Sequence, residues 1–137
     1  MVRSLLILLS LTLFVSCKKE AGEGGKAEIH GRIMEQRYSS INQLPTGDPY
    51  PLLDQNVYII YGDTTDGAYP DDNVDSGPDG KFRFQWLRKG SYTVYAISDC
   101  HPSDPNCQGE RKTISIPLDI GDRKGVVEIG DLTVEKW

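Results

Sequence analysis

Hydrophobic and polar residues alternate in short segments along most of the chain after residue 27. The segment KFRFQWL (81–87) is the clearest, with Phe82, Phe84 and Trp86 on one side and Lys, Arg and Gln on the other. A period of two is typical of a strand with one buried face. We therefore expect all three aromatic side chains of this segment to face a core.

Five further segments show a strand pattern and are separated by glycine, proline or aspartate. They cover residues 27–37, 55–62, 91–98, 111–118 and 125–136. Tyr92, Val94 and Ala96 form the apolar face of one segment, and Gly130-Asp131 is expected to break another. No helical apolar stripe of about eleven residues follows the N-terminal segment. The pattern predicts an all-β chain, a Greek-key β-sandwich of about seven strands.

Two long joints between these segments are predicted to be loops without strands. Residues 38–54 contain three prolines, and residues 62–80 contain six aspartates and no basic residue. Six carboxylates could supply the six to eight oxygens that calcium takes. An EF-hand register beginning at Asp71 fails, because Ser76 stands where glycine is needed and Phe82 where glutamate is needed. A solvated acidic loop is the commoner structure, so calcium binding between residues 63 and 79 stays a hypothesis and no metal ligand is assigned.

The N-terminal segment has the pattern of an export signal. Arg3 precedes an apolar run over residues 5–15, which is shorter than the roughly twenty residues that span a bilayer. The following Phe14-Val15-Ser16-Cys17 resembles a lipobox, the motif of bacterial lipoprotein signal peptidases. This resemblance implies cleavage after residue 16 and lipidation of Cys17, and the alternative is an ordinary secretory signal. Residues 17–27 are glycine-rich and charged, so we expect a flexible lipidated tether before a single domain over residues 28–137.

The remaining cysteines, Cys100 and Cys107, flank a polar segment with two prolines. Exported chains occupy compartments in which disulfides persist. A disulfide closing this loop is the first expectation. Two free thiols, or a metal site that includes His101, are the alternatives, although the spacing is not usual for zinc.

Charge excludes one class of partner. The chain has 15 basic and 20 acidic residues, a formal net charge of −5, and signal cleavage would remove Arg3 and leave −6. Such an acidic chain lacks the basic surface that nucleic acid requires. We therefore expect no nucleic-acid partner, and membrane attachment through the lipid anchor rather than through net charge.

Several segments together resemble the carboxypeptidase regulatory-like domain family, a group of transthyretin-like β-sandwiches. The matching pieces are IHGRI, PLLDQNVYII, SGPDGKFRFQWL, KGSYTVYAIS and VEIGDLTVEK. The resemblance implies a transthyretin-like fold and a role as an envelope module, here similar to small lipoproteins of Bacteroidota. Arg88-Lys89 departs from the prolines common in the family, and the joints at 38–54 and 99–110 are longer than the minimal pattern.

Candidate catalytic groups are few. The histidines are His30, which shares a strand face with Glu28, and His101; GxSxG, HExxH and phosphate-loop motifs are absent from the sequence. The C-terminal tail of the related hydroxyisourate hydrolases is also missing. We expect a non-enzymatic protein without a cofactor.

The expected function is that of an envelope lipoprotein that binds or scaffolds a partner protein at the outer membrane, on its periplasmic face or at the cell surface. An aspartate directly after the cysteine would resemble an inner-membrane retention signal. This chain has Lys18 at that position, which favours the outer membrane. The alternatives are a glycan-binding module, with Tyr50 and Tyr69 as candidate stacking residues, and an accessory subunit of an envelope enzyme or transporter.

Overall fold

The computed structural model describes residues 20–62 and 69–137. The expected signal peptide, the expected lipidation site at Cys17, and two aspartates of the acidic loop, Asp63 and Asp66, lie outside these residues. Eight strands form the described part: β1 (Glu23–Arg37), β2 (Tyr50–Pro51), β3 (Asn56–Tyr61), β4 (Asp72–Asp75), β5 (Lys81–Leu87), β6 (Gly90–Asp99), β7 (Arg111–Ile120) and β8 (Val126–Lys136). None of the described residues forms a helix long and apolar enough to cross a membrane.

The strands form one curled mixed sheet with two halves. In the first half, β1 is central, with β8 parallel on one side and β5 and β2 antiparallel along the other. In the second half, β6 is central, between β3 and β7, and β4 pairs with β3. The halves join where Asp99 of β6 pairs with Glu135 of β8.

The core lies between the two halves of the sheet. Ile29, Phe84 and Leu132 of the first half and Ile59 and Val94 of the second are almost fully buried in one cluster. The prediction of an all-β sandwich is confirmed. Eight strands are present where six segments showed a strand pattern, because the two predicted loops each contain a short edge strand, β2 and β4, which the sequence analysis missed.

Trp86 does not face the core, so this part of the prediction is wrong. Its side chain is 65% exposed, and Leu87 takes the buried position instead. Ile29 pairs with Phe84 but Ala27 pairs with Leu87, so one residue of β1 lies opposite two residues of β5. This is a β-bulge, which reverses the alternation of faces beyond it. The positive φ of 61° at Trp86 accommodates the bulge.

The tether prediction is wrong for residues 23–27, because β1 already begins at Glu23. A β-carbon on Gly25 would stand 1.8 Å from the carbonyl oxygen of Leu87. Glycine at this position therefore permits a close approach between β1 and the end of β5. The glycines that suggested flexibility in the sequence serve strand packing instead, and Ala27 is fully buried.

Candidate functional site

The outward face of β1, β5 and β8 carries charged residues in register. His30 pairs across the sheet with Arg83 on β5 and with Glu128 on β8. Arg32 in the same way pairs with Lys81 and Asp131. These side chains line an open groove of about 820 Å³, here called the charged groove, whose size is typical of a small-ligand site.

Arg32 and Asp131 form the best-defined pair of the charged groove. Nε and Nη2 of Arg32 donate to the two carboxylate oxygens of Asp131 at 2.9 and 2.8 Å. This hydrogen bonding lowers the pKa of Asp131 and raises that of Arg32. Gly130, with a φ of 75°, shifts the β1–β8 register between His30 and Arg32 and brings Asp131 opposite Arg32. The predicted break at Gly130-Asp131 is wrong, because β8 runs unbroken through these residues. The irregularity there is a β-bulge, and it positions a residue of the groove.

His30 is held between two carboxylates. Its Nε2 lies 2.6 Å from Oε2 of Glu28, and its Nδ1 lies 3.4 Å from Oε1 of Glu128. The prediction that Glu28 and His30 share a strand face is confirmed. Gln85 also donates to Glu28 at 3.2 Å. The hydrogen bond with His30, followed by that from Gln85, lowers the pKa of Glu28.

Beneath the charged groove, on the core face of the same strands, apolar side chains pack closely. A β-carbon on Gly31 would stand 2.5 Å from the nearest atom of the Phe82 ring and 2.9 Å from the side chain of Ile129. Glycine is therefore required for this packing. Phe82 is buried and borders the groove. The strands that carry the charged side chains therefore rest on a closely packed core.

The tyrosines expected to stack on sugars lie elsewhere. Tyr50 is partly exposed, and its hydroxyl donates to Glu35 while the guanidinium of Arg37 lies 5.4 Å from its ring centroid. Burial raises the pKa of Glu35, but the hydrogen bonds from Tyr50 and Arg37 outweigh it and lower the pKa overall. Tyr69 is almost fully exposed. Neither tyrosine borders the charged groove.

Two of the aspartates that the structure describes between residues 69 and 79 have separate partners. Asp71 accepts a hydrogen bond from the backbone N–H of Tyr61 at 2.7 Å, and Asp79 pairs with Lys81 at 3.0 Å. Within the described residues, no three His, Cys, Asp or Glu side chains converge as a metal site would require. Calcium binding in this loop stays a hypothesis that also involves residues outside the described part.

Cys100 and Cys107 form a disulfide, as expected. The Nδ1 atom of His101, within the closed loop, lies 2.7 Å from the hydroxyl oxygen of Ser103. The ring of His101 also contacts Trp137, with 4.9 Å between centroids. These contacts fasten the loop to the far end of β8, away from the charged groove.

Sequence reasoning found Glu28 and His30 but missed Arg32, Glu128 and Asp131. Charged residues on the exposed face of a strand carry no local signal of function. The parallel pairing of β1 with β8 joins residues about a hundred positions apart in the chain, such as Arg32 and Asp131. The glycine at position 130 was the one available signal of an irregularity there, although the irregularity is a bulge and not a break.

Comparisons with known proteins find no family model and no curated protein that match the chain. Among solved structures, one similar chain is a proposed carbohydrate-binding protein of Pseudomonas aeruginosa, at 12% identity and a TM-score of 0.48, covering 85% of this chain and 92% of that one. Another is a 9R-lipoxygenase of Cyanothece, at 15% identity and a TM-score of 0.38. That match covers 96% of this chain but 20% of the lipoxygenase. Similarities this low support no inference about a ligand.

Proposed function

We propose that this protein is a non-catalytic, lipid-anchored envelope protein that binds a glycan in the charged groove. The observation behind the proposal is the set of paired side chains along the groove. Arg32 and Asp131 fix each other with two hydrogen bonds, and Glu28 and Glu128 fix His30. Side chains already held in place lose little conformational entropy when a ligand binds.

The balance of charge along the groove favours a polyhydroxylated ligand. Three basic and three acidic residues line it: Arg32, Lys81, Arg83, Asp75, Glu128 and Asp131. A hydroxyl group both donates and accepts hydrogen bonds, so a sugar can bind carboxylates and guanidinium groups together without separating them. A protein partner with a flat surface would instead remove water from the same ion pairs when it binds, which costs free energy.

The surroundings of His30 support a binding role over catalysis. Both ring nitrogens face carboxylates, at 2.6 Å from Glu28 and 3.4 Å from Glu128. A general base needs a nitrogen within hydrogen-bond reach of the substrate. In this arrangement His30 orients the carboxylates around it instead.

Calorimetric titration of envelope and host oligosaccharides against the chain beginning at Lys18 tests the proposal. Arg32→Gln removes the guanidinium group and leaves Asp131 without its hydrogen-bond partner. We expect affinity to fall at least about tenfold, since a hydrogen bond to a charged group contributes about 1.5–3 kcal/mol. Arg111→Gln, on β7 and outside the groove, is the matched control. Equal affinities for the two variants would contradict the assignment of the site.

The lipid anchor has its own test. We expect mass spectrometry of the membrane fraction to show residue 17 as the modified N-terminus, and Cys17→Ser to release the protein from that fraction. An unmodified chain cleaved at another position would refute lipidation and leave the groove assignment untouched.

A protein partner is a second candidate, favoured by an exposed apolar loop tip. Ile41 is 94% exposed and Leu44 is 60% exposed. The loop is nevertheless ordered, because the N–H of Ser39 donates to the carbonyl of Leu44 at 2.9 Å and the N–H of Gln43 to that of Ser39 at 2.8 Å. Crosslinking from position 42, beside Ile41 at the loop tip, in intact cells should capture one defined envelope protein, and Ile41→Ser should abolish the crosslink. A crosslink that survives Ile41→Ser would argue against this surface.

A further inference from the structure

The N-terminal end of the sandwich is the place where the described chain begins. The N–H of Gly22 donates to the Tyr92 hydroxyl at 2.9 Å, and the N–H of Arg88 donates to the carbonyl of Gly22 at 2.8 Å. Ala21 packs against the core and against Gly90. The chain is therefore fixed to the domain from residue 21 onward.

This attachment limits the distance between the domain and a lipid on Cys17. Three residues separate Cys17 from Ala21, and the four Cα–Cα steps between them, at roughly 3.6 Å each, reach at most about 14 Å. A tether extending to residue 27 would have reached about three times as far. The Debye length at physiological salt is about 8 Å, so charges at this end stay within about two Debye lengths of the headgroups even when this segment is fully extended.

Two exposed basic turns lie at this end. The turn over residues 87–90 carries Arg88 and Lys89, and the turn over residues 121–125 carries Arg123 and Lys124 with one aspartate. The turns are neighbours, because Gly90 pairs with Ile120 and the N–H of Glu28 donates to the carbonyl of Gly125. Each basic residue near an anionic bilayer strengthens association about fivefold.

Exposed apolar side chains accompany these basic turns. Trp86 precedes Arg88 at the β5 bulge, and Val126, which pairs with Glu28, follows the second turn. Tryptophan is enriched at the membrane–water interface because its ring is both apolar and polar. Basic residues beside an exposed tryptophan are the combination that a headgroup layer binds.

We propose that the N-terminal end of the sandwich, with Trp86 and the turns 87–90 and 121–125, docks on the headgroups of an anionic bilayer. The proposal builds on the lipid anchor proposed above, since the anchor places this end at the membrane. Docking fixes the orientation of the domain and directs the C-terminal end of β8 away from the bilayer.

The two tryptophans of the chain provide the test, because they lie at opposite ends of the sandwich. The chain from Cys17 onward keeps every described residue, and the disulfide leaves Cys17 as its free thiol. This thiol is coupled to a maleimide lipid in vesicles of phosphatidylcholine and phosphatidylglycerol that contain a nitroxide-labelled headgroup lipid. Trp137→Phe leaves Trp86 as the reporter, and Trp86→Phe leaves Trp137 as the matched control.

We expect the nitroxide to quench Trp86 at least threefold more than Trp137. Reversing the charge of the four basic residues of the turns, or omitting phosphatidylglycerol, should reduce the quenching of Trp86 to the level of Trp137. Equal quenching of the two reporters, or quenching of Trp86 that is insensitive to both changes, would overturn the proposal. Because the coupling is chemical, the result does not depend on whether cells lipidate Cys17.

Discussion

The hydroxyl of Tyr92 ties the first residues of the domain to the turn between β5 and β6. It accepts a hydrogen bond from the N–H of Gly22 at 2.9 Å and donates one to the carbonyl of Arg88 at 2.8 Å, and the side chain is almost fully buried. Burial raises the pKa of Tyr92, so the hydroxyl stays protonated at neutral pH. Tyr92→Phe removes both hydrogen bonds and retains the ring.

The magnitude follows from the two groups that lose their partner. The net contribution of a hydrogen bond is about 1 kcal/mol, and a buried polar group left unpaired costs about 1–3 kcal/mol. We therefore expect Tyr92→Phe to lower the free energy of unfolding by about 2 kcal/mol. For a domain of this size, this corresponds to a fall in Tm of about 8 °C.

Thermal denaturation and amide hydrogen exchange measure the effect. The control is Tyr95→Phe: Tyr95 stacks on Tyr58 with ring centroids 5.1 Å apart, and its hydroxyl has no hydrogen bond to any described residue. We expect this control to cost less than about 0.5 kcal/mol. In Tyr92→Phe the amides over residues 22–27 should also exchange faster. Equal Tm shifts for the two variants, or unchanged protection of these amides, would refute the reasoning.

Three further predictions concern packing, charge and the disulfide. Gly25→Ala forces a β-carbon into a backbone carbonyl and should lower the free energy of unfolding by more than about 3 kcal/mol, measured by thermal denaturation. The control Gly121→Ala, where a β-carbon would meet nothing within 4 Å, should be nearly neutral. Similar losses in the two variants would contradict the proposed close approach. The hydrogen bond from Lys112 lowers the pKa of Asp104, so the stability from this pair is present above the unfolded pKa of Asp104 and is lost as the pH falls through its folded pKa. Lys112→Met should therefore reduce the loss of urea resistance between about pH 5 and pH 3. An unchanged dependence of urea resistance on acid pH would disprove this prediction. Replacing both disulfide cysteines with serine should lower the free energy of unfolding by about 2.5 kcal/mol for an eight-residue loop, and an unchanged urea midpoint would exclude that contribution.

The strands were predictable where one face is apolar and the other polar. Tyr92, Val94 and Ala96 are buried as expected. The pattern failed at Trp86, because the β5 bulge reverses the alternation of faces and is determined by pairing with β1. Edge strands such as β2 and β4 bury little surface, so their residues carry no hydrophobic period.

The charged groove was predictable only in part. Glu28 and His30 are two residues apart on one strand, and strand geometry alone places them on the same face. Arg32 and Asp131 meet only because β8 returns parallel to β1, which local sequence does not encode. The start of the domain was likewise hidden, because glycines that allow close packing have the same composition as a flexible linker.

The parallel pairing of β1 and β8 also has a mechanical consequence. The two strands share nine registered residue pairs and run in the same direction, so β1 starts at one end of the sandwich and β8 finishes at the other. Tension between an anchored start of β1 and a load at the end of β8 would slide the strands along each other. Shear of this kind strains all nine pairs together, whereas peeling would open them one after another. Pulled between its two ends, the domain should therefore yield at a high force and in a single step.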